Sequence, residues 1–518
     1  MKILIYTIAF LSYHIILSQN SKQPNVLFIM LDDLNDNIGV LGGHPQVQTP
    51  HMNALAKEGV VFKNAHTNAP ICAPSRASLF TGIYPHKSKN FWFSKWTENT
   101  VLKNSKTLMR FMKDNGYLTL ATGKLMHHRD KNEWDEYGIE NDFGPYPFDG
   151  KKTVKHPLVP KEYYQNKNDG LYASLANIPS VSPSSNTPGY TGWYDVKNKK
   201  PYNYVNDENR DLLNDELTAN WATNKIKELE AKNTTKPFFL AVGFVRPHTP
   251  LVAPQKYFDK YPLENLKLPV IKKNDIDDTF YRSTFKRVAP WAKHYQDLKA
   301  SYTNLNEGLK TYLQAYLACV SFADDQVGKL MNALKNSKFN NNTIVFLVSD
   351  HGYNLGEKEF IYKNNLWEET TRIPMIIRAP MYAKNAGEKV DHPVSLIDVY
   401  PTIADLCGIN KTNIKNNKGE LLNGYSMKPF LNNPKKGKWK GPGVALTVVR
   451  GNTKSNEANE QSYAVRSKDF RYIKYVNGKE ELYNHKQDPY EWENLASKKK
   501  YLKVKKELRR EMNALLNN

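Results

Sequence analysis

Asp32-Asp33 and Asp350-His351 are two short segments that could together hold one divalent cation. Carboxylate oxygens suit a hard ion, calcium first and magnesium second. Zinc is less favoured, because three of the four candidate donors are oxygens. Taken alone, an Asp-Asp pair is more often a solvated turn. Neighbours in a strand point to opposite faces, so both aspartates can share an ion only where the strand has ended and the backbone turns. A competing pair, Asp324-Asp325, falls in a helical pattern where neighbours diverge by about 100° and reads as structural. Lys124, His127, His248 and Lys363 add groups able to hold an anion or move a proton. Cys72, in Cys72-Ala73-Pro74-Ser75-Arg76, would as an isolated C-x-P read as a buried cysteine ahead of a helix.

These groups share a position in the chain: nearly all follow an apolar run of strand length. Asp32-Asp33 follow Val26–Leu31, Lys124 and His127 follow Leu118–Thr122, His248 follows Phe238–Phe244, and Asp350-His351 follow Ile344–Ser349. Met375–Ile377 is a further run of this kind. Helical patterns lie between the runs. Thr49-Pro50 opens one helix with a cap and a proline at its first position, and Gly59 closes it. Tyr312–Lys335 predicts a long helix packed on the sheet. Such alternation predicts an α/β fold with a large, mainly parallel central sheet, whose strand ends share the edge where ligands bind. Gly144–Arg210, rich in Pro, Asn, Ser, Tyr and Lys, predicts surface loop shaping a cleft.

A chain of 518 residues exceeds what one core supports, so a second, smaller domain is expected. Gly441-Pro442-Gly443 marks the boundary, dividing a catalytic domain at 19–440 from a C-terminal α+β subdomain at 441–518. In the latter, Tyr463–Val465, Phe470–Tyr475 and Glu481–Tyr483 read as antiparallel strands, with a hairpin turn at Asn477-Gly478. A charged helix over about Lys498–Leu516 follows.

Met1–Ser18 reads as a secretory signal: Lys2, an apolar run, then small or polar residues. That run falls short of the roughly 20 residues a membrane span needs, and no later stretch supplies one, so no stable membrane insertion is expected. Three cysteines in an exported chain fit a bacterial periplasm or secretion. Cys319 and Cys407 read as two buried thiols, with a disulfide as the alternative. The net charge of +21 concerns partners rather than fold. No nucleic-acid module or Gly-rich phosphate loop is recognisable, and an acidic polysaccharide is the better match.

The stretch Cys72-Ala-Pro-Ser-Arg76 running on to Thr81-Gly82 resembles the signature of the formylglycine (type I) sulfatases, of the alkaline phosphatase superfamily, with Phe80 where leucine is usual. Asn25–Asp33 resembles that family's first strand and metal pair. Gly123-Lys124-Leu125-Met126-His127 resembles its G-K-x-x-H element, and Arg246-Pro247-His248-Thr249-Pro250 its P-H-x-P element. Ser349-Asp350-His351-Gly352 with Lys363 resembles its second metal segment and distal lysine. Cys-Ala-Pro-Ser-Arg together with Asp-His is most similar to the iduronate-2-sulfatase branch.

The resemblance implies that Cys72 is oxidised to formylglycine by a formylglycine-generating or anaerobic sulfatase-maturating enzyme. It also implies that Asp32, Asp33, Asp350, His351 and residue 72 surround calcium. The aldehyde hydrate would be the nucleophile, with Asp350 accepting its proton. Arg76 and Lys124 would offset charge, Lys363 and His248 would hold the ester and protonate the leaving oxygen, and His127 would take the second hydroxyl proton to expel sulfate. His128 competes with His127 for that role, but the G-K-x-x-H spacing favours His127. His86, His44 and His294 carry no such role. The implied activity is hydrolysis of O-sulfate esters on a sulfated carbohydrate, algal (such as ulvan) or glycosaminoglycan. The alternatives are a phosphonate or phosphate ester hydrolase of the same superfamily and a catalytically silent polysaccharide-binding protein.

Overall fold

The short apolar runs become neighbours in one eight-stranded sheet. The computed structural model describes residues 23–163, 170–178, 180–184, 189–285, 290–451 and 455–517, and the expected leader at Met1–Ser18 lies outside the described residues. In chain order the strands are β1 (Asn25–Leu31), β2 (Val60–Phe62), β3 (Leu118–Gly123), β4 (Glu136–Glu140), β5 (Phe238–Gly243), β6 (Thr343–Ser349), β7 (Met375–Arg378) and β8 (Lys389–Val390). Their spatial order is β8-β2-β7-β6-β1-β5-β3-β4. The run from β6 to β4 is parallel throughout. Only β7 runs against its neighbours β6 and β2. The sheet is mixed and mainly parallel, as the strand–helix alternation predicts.

Both faces are covered, so the strands are apolar without interruption rather than alternating. Leu27, Ile29 and Leu31 of β1 face a cluster containing Leu313, Leu317 and Val320. These three belong to α5 (Leu305–Lys335), which follows α1 (Pro50–Glu58), α2 (Cys72–Thr81), α3 (Leu108–Asp114) and α4 (Asn214–Ala231). Val26, Phe28 and Met30 face the other way, toward Leu79 and Phe80 of α2 and Met109 and Met112 of α3. Cys319 belongs to the first layer and Cys407 to the second. Both are free, so the disulfide alternative is not realised.

Three local expectations need correction. Thr49 does not cap α1; its hydroxyl accepts from the Gly39 amide instead. The capping oxygens come from Asp324 on α5, which accepts from the amides of His51 (3.0 Å) and Met52 (2.7 Å). A buried carboxylate from a neighbouring helix thus does what the local hydroxyl was expected to do. Gly144–Arg210 is more than surface loop. Tyr146–Pro147, Trp193–Asp195 and Lys200–Tyr202 form a small antiparallel sheet, and Trp193 is fully buried with its indole donating to the Leu175 carbonyl. The C-terminal sheet also has a strand that was not anticipated.

That sheet comprises β9 (Ala445–Val449), β10 (Ser462–Arg466), β11 (Phe470–Lys474) and β12 (Glu480–Asn484), antiparallel and in sequence order. Helix Leu502–Asn517 follows it. The unanticipated β9 fixes the chain just ahead of Cys72: the Val448 amide donates to Asn68 (2.9 Å), and the Thr447 hydroxyl to Thr67 (2.6 Å). Arg466 and Arg471 reach back to buried Glu368 and Glu491. No helix among the described residues is long and apolar enough to cross a membrane.

Candidate active site

The C-terminal ends of β1, β3, β5 and β6 deliver polar side chains to one pocket. After Leu31 the backbone leaves the strand, and Asp33 adopts a left-handed φ of 63°. This is the turn that two adjacent aspartates need to face the same point. It is held from two sides: the Asp33 amide donates to Asp350 Oδ1 (3.2 Å), and the Tyr316 hydroxyl of α5 donates to the Asp33 carbonyl (2.7 Å). The ligand-type atoms of Asp32, Cys72, Asp350 and His351 lie within 4.8 Å of one another, and so do those of Asp32, Asp33, Cys72 and His248.

Cys72 is the first residue of α2 and is 2% exposed. Its Sγ lies 3.3 Å from His351 Nε2, 3.4 Å from Lys363 Nζ, 3.6 Å from Asp32 Oδ1 and 4.0 Å from Lys124 Nζ. One turn along α2, Arg76 is fully buried and bridges the two acidic segments: Nε to Asp350 (2.8 Å) and Nη2 to Asp32 (3.1 Å). Its Nη1 also donates to the carbonyls of Lys124 (2.5 Å) and Leu125 (2.8 Å), holding the end of β3 in place. Lys124 pairs with Asp32, and Lys363 forks onto both Asp33 oxygens at 2.7 and 2.9 Å.

Lys363 reaches the pocket from a segment with several left-handed residues, Lys358, Glu359, Tyr362 (φ 112°) and Asn364. Such strain in a bulky residue persists only where surrounding contacts impose it, and it is concentrated at functional positions. His248 sits in a loop whose amides at Val245 and Arg246 donate to the two oxygens of Asp215 (2.7 and 2.8 Å). No motif pointed to Asp215, Tyr316 or Phe143. The Phe143 ring packs 4.9 Å from His248 and 4.6 Å from Lys124 Nζ. His127 stands at the exposed margin of the pocket, beside His128. His86, His44 and His294 lie elsewhere, against Leu515, Lys267 and Tyr362 respectively.

Burial outweighs the neighbouring cations at two of the three carboxylates in this pocket. Burial, together with Asp32 and Asp350, pushes Asp33 up to about 8 despite Lys363. Burial pushes Asp350 to about 6 although Arg76 opposes it. Asp32 is the exception: against burial, Lys124 and Arg76 hold it well below the usual carboxylate range. Burial and Lys363 keep His351 neutral, and its Nδ1–H donates to the Gly352 carbonyl (3.1 Å), which leaves the Nε2 lone pair facing the pocket. Three converging carboxylates, two of them pushed toward protonation by burial, and a correctly polarised imidazole fit a divalent cation. Burial and Asp32 push the Cys72 thiol to about 12, so an unmodified Cys72 carries no thiolate at neutral pH.

Comparison with known proteins places the chain. Residues 24–409 match the family model described as Sulfatase, and residues 356–518 match the model described as N-sulphoglucosamine sulphohydrolase, C-terminal. A sulfatase of Formosa agariphila is 33% identical over 92% of this chain and 84% of its own length. The iduronate 2-sulfatase of Mus musculus is 29% identical over 74% of this chain and 69% of its own. A protein solved in complex with its substrate D-glucosamine-2-N,6-O-disulfate superposes with a TM-score of 0.65 at 22% identity, over 95% of this chain and 97% of that one, a likeness of fold. The chain belongs to the sulfatase family, within the alkaline phosphatase superfamily, whose members hydrolyse sulfate esters.

Proposed function

We propose that this enzyme is exported and removes O-sulfate from a sulfated carbohydrate, with residue 72 as formylglycine and calcium as the cation. One observation carries the reading: the side chain of residue 72 meets Asp32, His351, Lys124 and Lys363 in a single buried pocket. A thiol held protonated there is a poor nucleophile, whereas a hydroxyl of an aldehyde hydrate beside a cation would be a good one. When hydrated, the aldehyde supplies one hydroxyl to attack sulfur and a second whose deprotonation releases sulfate. Asp32, Asp33, Asp350 and His351 would hold the cation, which lowers the pKa of an oxygen presented to it.

The chain's own residues supply the remaining steps. Lys124 and Lys363 lie close enough to residue 72 to receive the sulfate oxygens, and Arg76 fixes Asp32 and Asp350. Burial, Lys363 and Lys124 hold His248 well below the usual imidazole range. An incoming sulfate reverses that local field, so His248 would gain its proton as substrate binds and could then pass it to the leaving oxygen. His127, pulled down to about 4 by burial and by Lys124, His128 and Arg76, is an unprotonated base at neutral pH. The similarity to an iduronate 2-sulfatase and the net charge of +21 favour a uronic-acid-containing polyanion, algal or glycosaminoglycan.

Turnover of sulfated uronate oligosaccharides and of phosphate and phosphonate esters tests the reading. Sulfate esters should dominate, and dominant phosphatase or phosphonate hydrolysis would overturn it. Intact-mass analysis of the peptide containing residue 72 should show conversion of thiol to aldehyde. Cys72→Ala should abolish turnover without loss of folding; retained turnover would remove residue 72 from the mechanism.

A further inference from the structure

The segment that follows α2 brings an aromatic face to the margin of the pocket. Phe93 is 39% exposed, and its ring centroid lies 4.9 Å from that of His127. Trp92 packs edge-on against it at 5.3 Å, and the Arg450 guanidinium lies over the Trp92 ring at 5.8 Å. The segment is anchored on both sides of Phe93. Phe91 is buried, the Ser94 amide closes a turn on the Trp92 carbonyl, and the Trp96 indole donates to the His128 carbonyl at 2.7 Å. The last bond ties this segment directly to the end of the His127-His128 dipeptide.

A large apolar ring left open to water, fixed in place and tilted at 60° against the ring of His127 is a ligand-facing arrangement. A pyranose suits it. The C–H groups on one face of the sugar are polarised positive by neighbouring oxygens and lie flat on the negative face of an aromatic ring. The ring hydroxyls then remain at the edge, free for water or polar side chains. The Arg450 guanidinium behind Trp92 adds positive charge near the platform, which would favour an acidic sugar.

We propose that Phe93, backed by Trp92 and Arg450, is the subsite that receives the sugar ring carrying the scissile sulfate. The identity of the ligand, a sulfated uronic acid or its neighbour in a chain, rests on the sulfatase reading; the platform itself rests on the geometry beside His127. Phe93 would then set substrate affinity by stacking, while Lys124, Lys363 and the cation site engage the sulfate.

The test compares wild type with Phe93→Ala, Phe93→Leu and Phe93→Trp on sulfated uronate oligosaccharides and on their desulfated counterparts. Phe93→Ala should raise KM about five- to tenfold, more than it lowers kcat, and should weaken binding of the desulfated sugar by a similar factor. Phe93→Leu keeps an apolar side chain and should fold normally yet show the same loss. Phe93→Trp should restore affinity. Unchanged KM and unchanged sugar affinity in Phe93→Ala, affinity fully retained in Phe93→Leu, or no binding of any of these sugars by wild type would overturn the proposal. Failure of the sulfatase reading gives a different result: wild type binds the oligosaccharide without desulfating it, and the Phe93 variants still decide whether the ring is the platform.

Discussion

Among the described residues, two buried clusters of acids and bases bear comparison, the pocket around Cys72 and the cluster of Glu368, Glu491, Arg466 and Arg471 beneath the C-terminal sheet. Both combine carboxylates, strong bases and a histidine, and in both the donor atoms crowd closely enough to suggest a metal site. Their titration separates them. Against burial, Arg471 and His485 hold Glu491 down to about 2, and Arg466, His485 and Arg471 hold Glu368 well below its ordinary range. Arg471 Nε meets Glu491 at 2.6 Å and Arg466 Nε meets Glu368 at 3.1 Å, and these cations outweigh burial. In the pocket around Cys72, Asp33 and Asp350 are also paired, with Lys363 and Arg76, yet burial pushes them the opposite way. Proximity of acidic groups therefore does not by itself define an ion site. One cluster fastens the C-terminal sheet to Glu368 and Glu491, and the other would, on the proposed reading, take a cation and an anionic substrate.

The same isosteric change should have unequal consequences in the two places. Asp33→Asn resembles the protonated form that burial favours, so it should cost the cation-free fold less than Glu491→Gln does, although Lys363 loses its acidic partner. Activity should fall by about 10³-fold, because a ligand of the cation is gone. Glu491→Gln should cost ~3–5 kcal/mol in urea unfolding, because it breaks a buried ion pair with Arg471, which keeps only Glu368, and removes the partner of His485. Equal stability losses in the two variants would erase the distinction.

Calcium should sharpen it. At a hundredfold excess over its dissociation constant, calcium should stabilise wild type by about 2.7 kcal/mol and Glu491→Gln by a similar amount. Asp33→Asn should show little of this gain, and a full gain there would remove Asp33 from the cation site.

pH supplies a smaller test with opposite signs. Glu491 is lowered from 4.5 to about 2 in the fold, so its contribution is complete above 4.5 and lost as pH falls through about 2. Asp33 is raised from 3.8 to about 8. The cation-free fold binds that proton more tightly than the unfolded chain, so its stability falls as pH rises from about 4 to about 8, and calcium should suppress the slope. Thermal unfolding across this range with EGTA or calcium would show it, and an identical slope in both conditions would count against the cation. The slightest effect expected is kinetic: an acid limb in kcat/KM from His127 near pH 4, abolished in His127→Ala. A limb that persists in His127→Ala would assign the step to another base.

The strand ends were legible from residue order because each pairs a doubly buried apolar run with an abrupt polar dipeptide. Asp32-Asp33, Lys124 and Asp350-His351 follow such runs and meet in the pocket. Lys363 was marked only by its distance from Asp350, and the strained segment around Tyr362 that delivers it has no local signature. The β9 strand, Ala445–Val449, carries no such mark: Thr447 interrupts its apolar run and no acidic or basic dipeptide of the pocket follows it. Asp215, Phe143 and the Asp324 cap of α1 act on segments far away in sequence, where periodicity carries no information.

Residue order by itself determined the parallel α/β architecture, the family and the set of strand-end groups, because burial on both sheet faces and sharp turns leave a local trace in composition. Tertiary structure alone decided at which carboxylates burial outweighs the neighbouring cations. A carboxylate's proton affinity depends on how many cations reach it through a water-poor interior, and those cations arrive from separate elements: Arg76 from a helix, Lys363 from a strained hairpin, and Arg466 and Arg471 from a second sheet.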